Sequence, residues 1–370
     1  MDHIKSSERL LRGAVIGYGF IASRGHIPAY VQRAQLQKDV SIVAIADICE
    51  ARRRIASDAV PGVRVYENYR ELIEKEGHQL DFIDIATPPC DHAEIAQFAL
   101  KSGLHVLCEK PLTTSVEDAK KLLQAATESK RVLFPCHNYK HAPVVRAIRE
   151  IIQSGKIGKV RSVTLNTYRN THAKGVPEWN THWRRFQKYS GGGIAMDHGS
   201  HSFYLTFEWM GSYPTAVTAK MTTLDSQKYD TEDGFSATLT FPNGVAQAYL
   251  TWTAGTRKVI YTVQGEKGAI TVDDDELQLA LMQSTDGPDV AQGAVSWKIE
   301  KTSIASHWMD ASHVSWFNSL FDQFKTAIQQ NQYVSQETKE AFLCTQLISS
   351  AYRSAREKCQ EIPLSVDLPL

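Results

Sequence analysis

The first third of the chain alternates short apolar runs with helix-length amphipathic stretches. The runs RGAVIGYG, VSIVAIAD, FIDIATPP, HVLCEKP and RVLFPCHN are nearly unbroken in Val, Ile, Leu and Ala. That pattern belongs to strands buried on both faces. Between them, AEIAQFALKSG closes on Gly103, and SVEDAKKLLQAATESK opens with Ser115 as an N-cap and Asp118 three residues later. The alternation predicts a doubly wound parallel sheet, α/β in class, within a domain of residues 1–137.

Beyond about residue 160 the period shortens. KVRSVTLNTYR, TAVTAKMTTL, GFSATLTF, GVAQAYLTWTA, RKVIYTVQGEKGAITV and VSWKIEKTSI are rich in Val, Thr, Tyr and Trp. FPNGV places Asn-Gly between two of these runs, a hairpin signal. The runs predict an open, mainly antiparallel sheet with one wet face. DASHVSWFNSLFDQFKTAIQQ and ETKEAFLCTQLISSAYRSAREK read as two closing helices. Residues 138–370 are thus expected to form an α+β domain, with a cleft against the first domain as the default site.

Composition narrows the function classes. The 370 residues carry 41 Lys+Arg and 41 Asp+Glu, a balance that argues against a chain-wide basic field and nucleic-acid binding. Hydrophobic residues at 42% suffice for a large core. Glycine-broken runs such as GAVIGYGFIA are too short to span a bilayer. MDHIKSSERLLRG lacks a basic start followed by an apolar stretch, so the expectation is a cytoplasmic chain without a signal peptide or membrane partner. Six cysteines show no CxxC or CxxH spacing, which predicts reduced thiols and no structural zinc.

Three stretches carry candidate chemistry. Gly17-Tyr18-Gly19-Phe20-Ile21-Ala22 fits G-x-G-x-x-A directly after the first strand. Gly17 permits the tight turn, Gly19 lets the backbone approach a pyrophosphate, and the following helix N-terminus faces the anion. Asp47 ends the second apolar run, where a carboxylate accepts from both ribose hydroxyls and repels a 2′-phosphate. This favours NAD over NADP. Arg52, Arg53 and Arg54 keep NADP open, either reaching a phosphate or forming a solvated helix face.

Glu109-Lys110-Pro111 follows a strand, at the edge where a parallel sheet faces its ligand crevice. Proline restricts the residue before it, so Lys110 points one way, and its ammonium can stabilise an alkoxide or share in proton transfer. SGGGIAMDHGSH sets Asp197 and His201 four apart on a predicted helix, projecting from one face. That pair suits removal of an alcohol proton, His201 as base and Asp197 as its orienter or a ligand for a substrate hydroxyl. His198 projects about 100° away, open to substrate contact or a structural role. A metal on these groups lacks a third convergent ligand.

As a set, GYGFIA, the AD of the second strand, ATPP with His92, CEKP, HNYKHAP, WR ahead of SGGG, and DHGSH resemble the glucose–fructose oxidoreductase/inositol dehydrogenase (Gfo/Idh/MocA) family over nearly the whole chain. The resemblance implies a Rossmann domain, an open mixed sheet, and NAD(P)-dependent redox chemistry on a sugar, sugar derivative or cyclitol. It implies that Lys110, Asp197 and His201 surround the reacting carbon. Thr87 and Pro88 would lie under the cofactor with His92 close by, Glu109, Lys110 and Asn138 would reach the nicotinamide side, and Trp183 and Arg184 would touch cofactor. Phe20, Ile21 and Asp47 complete the expected cofactor set, and Asn138, Lys140 and His198 join the expected substrate set. Two departures stand out: Tyr204 where the family often has H-x-x-D after its histidine, and Lys140 where arginine usually follows Asn-Tyr. RNTHAKGVPEWNTHWRR is either a source of hydroxyl- and ring-binding groups or an ordinary ordered loop.

The leading expectation is an NAD-dependent dehydrogenase in which His201 takes a secondary hydroxyl's proton and Lys110 stabilises the oxyanion. The alternatives are a glycosidase that oxidises, eliminates and reduces in a closed NAD cycle, and a non-catalytic cofactor-binding sensor. An open sheet face predicts a homodimer or homotetramer.

Overall fold

The computed structural model describes residues 9–224, 227–284, 295–305 and 313–367. Six strands and five helices alternate through the first part: β1 Leu11–Ile16, α1 Ile27–Leu36, β2 Val40–Ala46, α2 Glu50–Ala59, β3 Arg64–Tyr66, α3 Tyr69–Glu76, β4 Phe82–Ile85, α4 Pro89–Lys101, β5 His105–Cys108, α5 Val116–Ser129 and β6 Leu133–Pro135. All the strands pair in parallel, in the order β3-β2-β1-β4-β5-β6. The chain reverses its direction of growth between β1 and β4, which opens a crevice at their C-terminal ends. The Ser115 cap is present, its side chain accepting from the Asp118 N–H at 3.1 Å. The helix after β1 begins at Phe20 and runs as a π turn over Ala22–His26 before it becomes α1.

The second part follows as α6 Pro143–Gln153, β7 Val160–Tyr168, α7 Gln187–Ser190, α8 Ile194–Met210, β8 Ala216–Thr222, β9 Gly234–Phe241, β10 Gly244–Thr251, β11 Lys258–Gly265, β12 Gly268–Asp273, β13 Glu276–Ser284, β14 Val295–Ser303, α9 Val314–Gln329, α10 Gln336–Arg356 and β15 Ile362–Pro363. Its nine strands order as β14-β13-β12-β11-β7-β10-β9-β8-β15. The sheet is mixed: β7 and β10 run parallel while every other pair is antiparallel. Asn243 makes the turn between β9 and β10, where Phe241 pairs with Gly244. Strand β13 and helix α6 are additions to the elements read from the sequence. The expected start of the first closing helix, Asp310-Ala311-Ser312, lies outside the described residues.

Helix α8 crosses the second sheet and is buried on almost every side. The two closing helices return to the first sheet. From α9, Phe317, Leu320, Phe321 and Phe324 pack with Tyr30 and Phe82 in one core. Burying four such side chains stabilises this contact by roughly 1.5–3 kcal/mol each. Ahead of α10, the Leu133 N–H donates to the Tyr333 carbonyl at 3.1 Å, and Thr338 Oγ1 donates to the Leu133 carbonyl at 2.6 Å. Among the described residues no helix is long and apolar enough to cross a membrane. Cys108, Cys136 and Cys344 are buried thiols, Cys49 is half-buried, and Cys90 and Cys359 are exposed.

Candidate active site

The glycine turn sits at the crevice. Gly17 has φ +91°, and a Cβ there would lie 2.8 Å from the Ala86 and Thr87 backbone, so the position excludes larger residues. At Gly19 a Cβ would meet no protein atom within 4 Å. The space above Gly19 is therefore open to a ligand. Phe20 and Ile21 open the helix beside it, and Phe20 is exposed. Asp47 accepts from the Tyr18 and Cys49 N–H groups, both at 2.7 Å, one on each carboxylate oxygen. Each oxygen keeps a lone pair for a ribose hydroxyl.

The three arginines part company. Arg52 is buried, donates to the Tyr18 carbonyl at 2.8 Å and lies 3.5 Å from Glu178, which corrects the reading of it as a solvated face. Arg53 donates to the Asp47 and Ile48 carbonyls, and Arg54 pairs with Glu50 in solvent. Two further polar atoms in the crevice region, Thr87 Oγ1 and Asn138 Oδ1, are buried without a partner. The open glycine, the half-used aspartate and these two orphans fit an NAD lying along the strand ends. Pro88 caps α4 there. His92 is fully buried, with one ring nitrogen 2.9 Å from the Pro111 carbonyl and the other 3.0 Å from the Thr87 carbonyl. It ties the Thr87 and Lys110-Pro111 loops together instead of facing a ligand.

The candidate catalytic residues come together where the end of β5 meets the first turns of α8. Lys110 Nζ donates to the Asp197 carbonyl at 2.7 Å and to Asp197 Oδ1 at 3.1 Å. The Lys110-Pro111 peptide is cis. Arg184 Nε reaches the same Oδ1 at 3.3 Å while its guanidinium covers the Trp183 ring at 4.1 Å. Burial pushes the Asp197 carboxyl up, but the Lys110 ammonium and the Arg184 guanidinium outweigh it and hold it well below the usual carboxylate range. His198 Nδ1 stands 3.2 Å from Asp197 Oδ2, off the hydrogen-bond direction. Burial keeps His198 neutral, against the pull of Asp197.

Asp197 does not orient His201. That contact belongs to Tyr204, whose hydroxyl lies 2.6 Å from His201 Nδ1 and accepts from the Tyr139 N–H at 3.2 Å. The Tyr139 ring stacks on His201 with centroids 3.8 Å apart. Burial and the Lys110 ammonium together drive the His201 pKa well down, so the ring is neutral. The expected substrate contact at Lys140 is also corrected. Lys140 is buried, and its ammonium is held by Glu337 at 2.8 Å and by Glu340, both on α10. Burial lowers its pKa, and the two glutamates raise it further than burial lowers it. With His137 also 3.0 Å from Glu337, this is a filled ion-pair cluster behind the site.

Two supports escaped the sequence reading. The first is the N-terminus of α8. Glu232, buried ahead of β9, accepts from the Gly193 and Ala195 N–H groups at 2.9 Å each and from the Tyr352 hydroxyl at 2.8 Å. A distant carboxylate thus caps the helix that carries Asp197 and His201. The glycine run is what lets it in: a Cβ on Gly193 would lie 1.9 Å from the Glu232 carbonyl oxygen.

The second is His26, brought inward by the π turn. Its Nδ1 lies 2.6 Å from Asp84 Oδ2 and its Nε2 lies 3.1 Å from Glu109 Oε1. Burial lowers the His26 pKa, but the two carboxylates outweigh it and raise it to about 10, so the ring is charged and both nitrogens donate. Glu109 Oε2 accepts from the Lys110 N–H at 3.0 Å. Glu109 therefore acts behind Lys110. An aspartate in the middle of FIDI, a strand with both faces buried, is the available sequence sign that a cation waits nearby.

The loop between β7 and α7 spans the crevice. Arg184 holds Asp197 at one end, and the Glu178 carbonyl accepts from Cys49 Sγ at 3.3 Å at the other, beside Asp47. His172 and His182 bond to each other within it at 2.9 Å.

Family models match both halves of the chain. An oxidoreductase family with an NAD-binding Rossmann fold matches residues 11–137, and the GFO/IDH/MocA C-terminal domain matches residues 145–271. The chain belongs to the GFO/IDH/MocA oxidoreductases. It is an enzyme of that class with an NAD-binding Rossmann sheet. Among relatives, the putative oxidoreductase YteT of Bacillus subtilis is 33% identical over 38% of this chain and 32% of its own length. The 1,5-anhydro-D-fructose reductase of Ensifer adhaerens is 30% identical over 52% of this chain and 56% of its own. These matches span a third to just over half of those relatives. The fold is shared with a levoglucosan dehydrogenase solved with NADH and L-sorbose, at TM-score 0.80 and 22% identity over 96% of this chain and 99% of that one.

Proposed function

We propose that the chain is an NAD-dependent dehydrogenase that interconverts a secondary hydroxyl and its ketone on a sugar, sugar derivative or cyclitol. The nucleotide unit is assigned to residues 1–137 and the substrate unit to residues 138–370, working as a homodimer or homotetramer. The observation that carries the reading is the Lys110–Asp197 pair, which plants an ammonium where the nucleotide sheet meets α8. Relatives named for sugar chemistry point the same way.

Bound NAD supplies the hydride acceptor. The chain supplies the rest. Asp197 takes two hydrogen bonds from the Lys110 ammonium and fixes its direction, leaving its third N–H for a substrate oxygen. His201 Nε2, which has no protein partner among the described residues, is assigned to the same oxygen. Asn138 and His198 are assigned to neighbouring hydroxyls, and Trp183 with Arg184 to the cofactor's flank. Holding the reacting atoms in contact supplies much of the rate.

The test is reduced-nicotinamide absorbance after mixing the protein with pooled sugars, glycosides and inositols, NAD and NADP separately. A rise with NAD that falls by roughly 10²–10⁴-fold in Lys110→Ala is expected. A rise with NADP alone overturns the assignment of Asp47. Released aglycone with no net absorbance change turns the reading to the oxidation–elimination glycosidase.

A further inference from the structure

The hydrogen bonds around Tyr204 assign the proton traffic of the site. The Tyr204 hydroxyl has one hydrogen and two lone pairs. One lone pair accepts from the Tyr139 N–H at 3.2 Å. The side chain is fully buried, and burial holds its pKa well above the usual phenol range, so it keeps its hydrogen. The only acceptor it has among the described residues is His201 Nδ1, 2.6 Å away. Hence Nδ1 is the ring's lone-pair nitrogen. Being neutral, His201 carries its single proton on Nε2.

The opposite tautomer makes Nδ1–H the donor and Tyr204 Oη a double acceptor. The Tyr204 hydrogen then has nowhere to go. A buried hydroxyl proton without an acceptor disfavours that form by roughly 5- to 150-fold. An acidic residue at this position, as in H-x-x-D, accepts from Nδ1–H and leaves Nε2 with a lone pair. Tyrosine reverses the polarity of the contact.

We propose that Tyr204 is a positioning residue that fixes His201 as an Nε2–H donor, so that the substrate's proton is exchanged with Lys110 Nζ and not with His201. The role at the substrate rests on the dehydrogenase reading; the tautomer does not. In the reductive direction, a Lys110 N–H bond breaks, its proton bonds to the substrate oxygen, and the neutral amine left behind is reprotonated by water. In the oxidative direction the ammonium first gives a proton to water, and the neutral amine then takes the hydroxyl proton. Throughout, His201 Nε2–H donates a hydrogen bond to that oxygen and keeps its proton.

The experiment is long-range proton–nitrogen correlation on the full chain labelled with ¹⁵N-histidine, His201 being identified by the signals lost in His201→Gln. The expected wild-type spectrum has a pyrrole-type Nε2 and a pyridine-type Nδ1 for His201. In Tyr204→Phe this single-tautomer pattern is lost. A wild-type spectrum with the proton on Nδ1 overturns the proposal, and it does so even if Tyr204→Phe fails to fold. With an active substrate in hand, Lys110→Ala is expected to regain turnover with added methylamine; no rescue, alongside rescue of His201→Ala by imidazole, overturns the assignment of the proton to Lys110. Failure to find any sugar substrate sinks the functional reading and leaves the tautomer assignment standing on the spectrum alone.

Discussion

Gly193→Ala isolates the contact that fixes where α8 begins. The added Cβ would sit 1.9 Å from the Glu232 carbonyl oxygen, and ordinary contact begins near 3.4 Å. One side must therefore retreat by about 1.5 Å. Overpacking of this kind costs about 1–3 kcal/mol. The retreat also pulls the Glu232 carboxylate from the Gly193 and Ala195 amides and its carbonyl from the Ile194 N–H. Bonds to a charged acceptor contribute about 1.5–3 kcal/mol each, and a partial loss of both adds roughly 2–3. The expected total is about 3–6 kcal/mol, a large share of the roughly 5–15 kcal/mol that stabilises a typical protein.

For a chain of 370 residues, calorimetry should show a Tm lower by roughly 4–8 °C. Because Asp197 and His201 ride on the displaced helix, a shift of about 1 Å should also cut kcat by about 10²-fold in the protein that remains folded. Gly77→Ala is the control, since its Cβ would meet only Ile73 Cγ2 at 3.7 Å. A Gly193→Ala protein with wild-type Tm and kcat would refute the claim that the glycine run exists to admit Glu232.

Gly19→Ala should do the reverse: no protein atom opposes its Cβ, so Tm holds or rises slightly while the Kd for NADH, read by fluorescence titration, weakens by tenfold or more. Lys140→Met strips Glu340 of its cation and leaves Glu337 only His137, which should cost about 3–5 kcal/mol in urea unfolding while leaving KM near the wild-type value. Stability should peak near neutrality. Burial holds His105, His141 and His172 down to about 4, 3 and 4, so below their ordinary value of about 6.5 the unfolded chain binds more protons and Tm should fall from pH 6.5 towards 4. His26, raised to about 10, binds its proton more tightly when folded, so the stability it contributes is present below pH 6.5 and lost as pH climbs to 10. A flat Tm across both ranges would contradict these assignments.

Local signals made much of this legible. The turn at Gly17 and Gly19, the strand-ending Asp47 and the Ser115 cap are contained within a few residues, so their chemistry is written in order. The motifs around Lys110 and Asp197 are just as local, which marks both as candidates, and the structure sets the two side chains 3.1 Å apart. The site's supports were not legible. The Glu232 cap comes from 39 positions beyond Gly193, and no local pattern pairs them. The parallel β7–β10 pairing is equally non-local. Helical spacing put His201 beside Asp197 correctly, yet side-chain direction gave its hydrogen bond to Tyr204, three residues on. Lys140 joins the expected substrate set only through the resemblance, as the residue where arginine usually follows Asn-Tyr; its partners lie about 200 positions away on α10.

The tie between Leu133 and Tyr333 has a consequence for how the protein is made. A growing chain exposes β6 as a raw sheet edge long before residue 333 leaves the ribosome. At about 5–20 residues per second, that interval is on the order of 10–40 s. During it the nucleotide sheet offers unpaired amides and carbonyls to any neighbouring nascent chain. The closing segment ahead of α10 is then a seal applied last, and chains cut short before it should appear in cells as aggregates rather than as small soluble nucleotide binders.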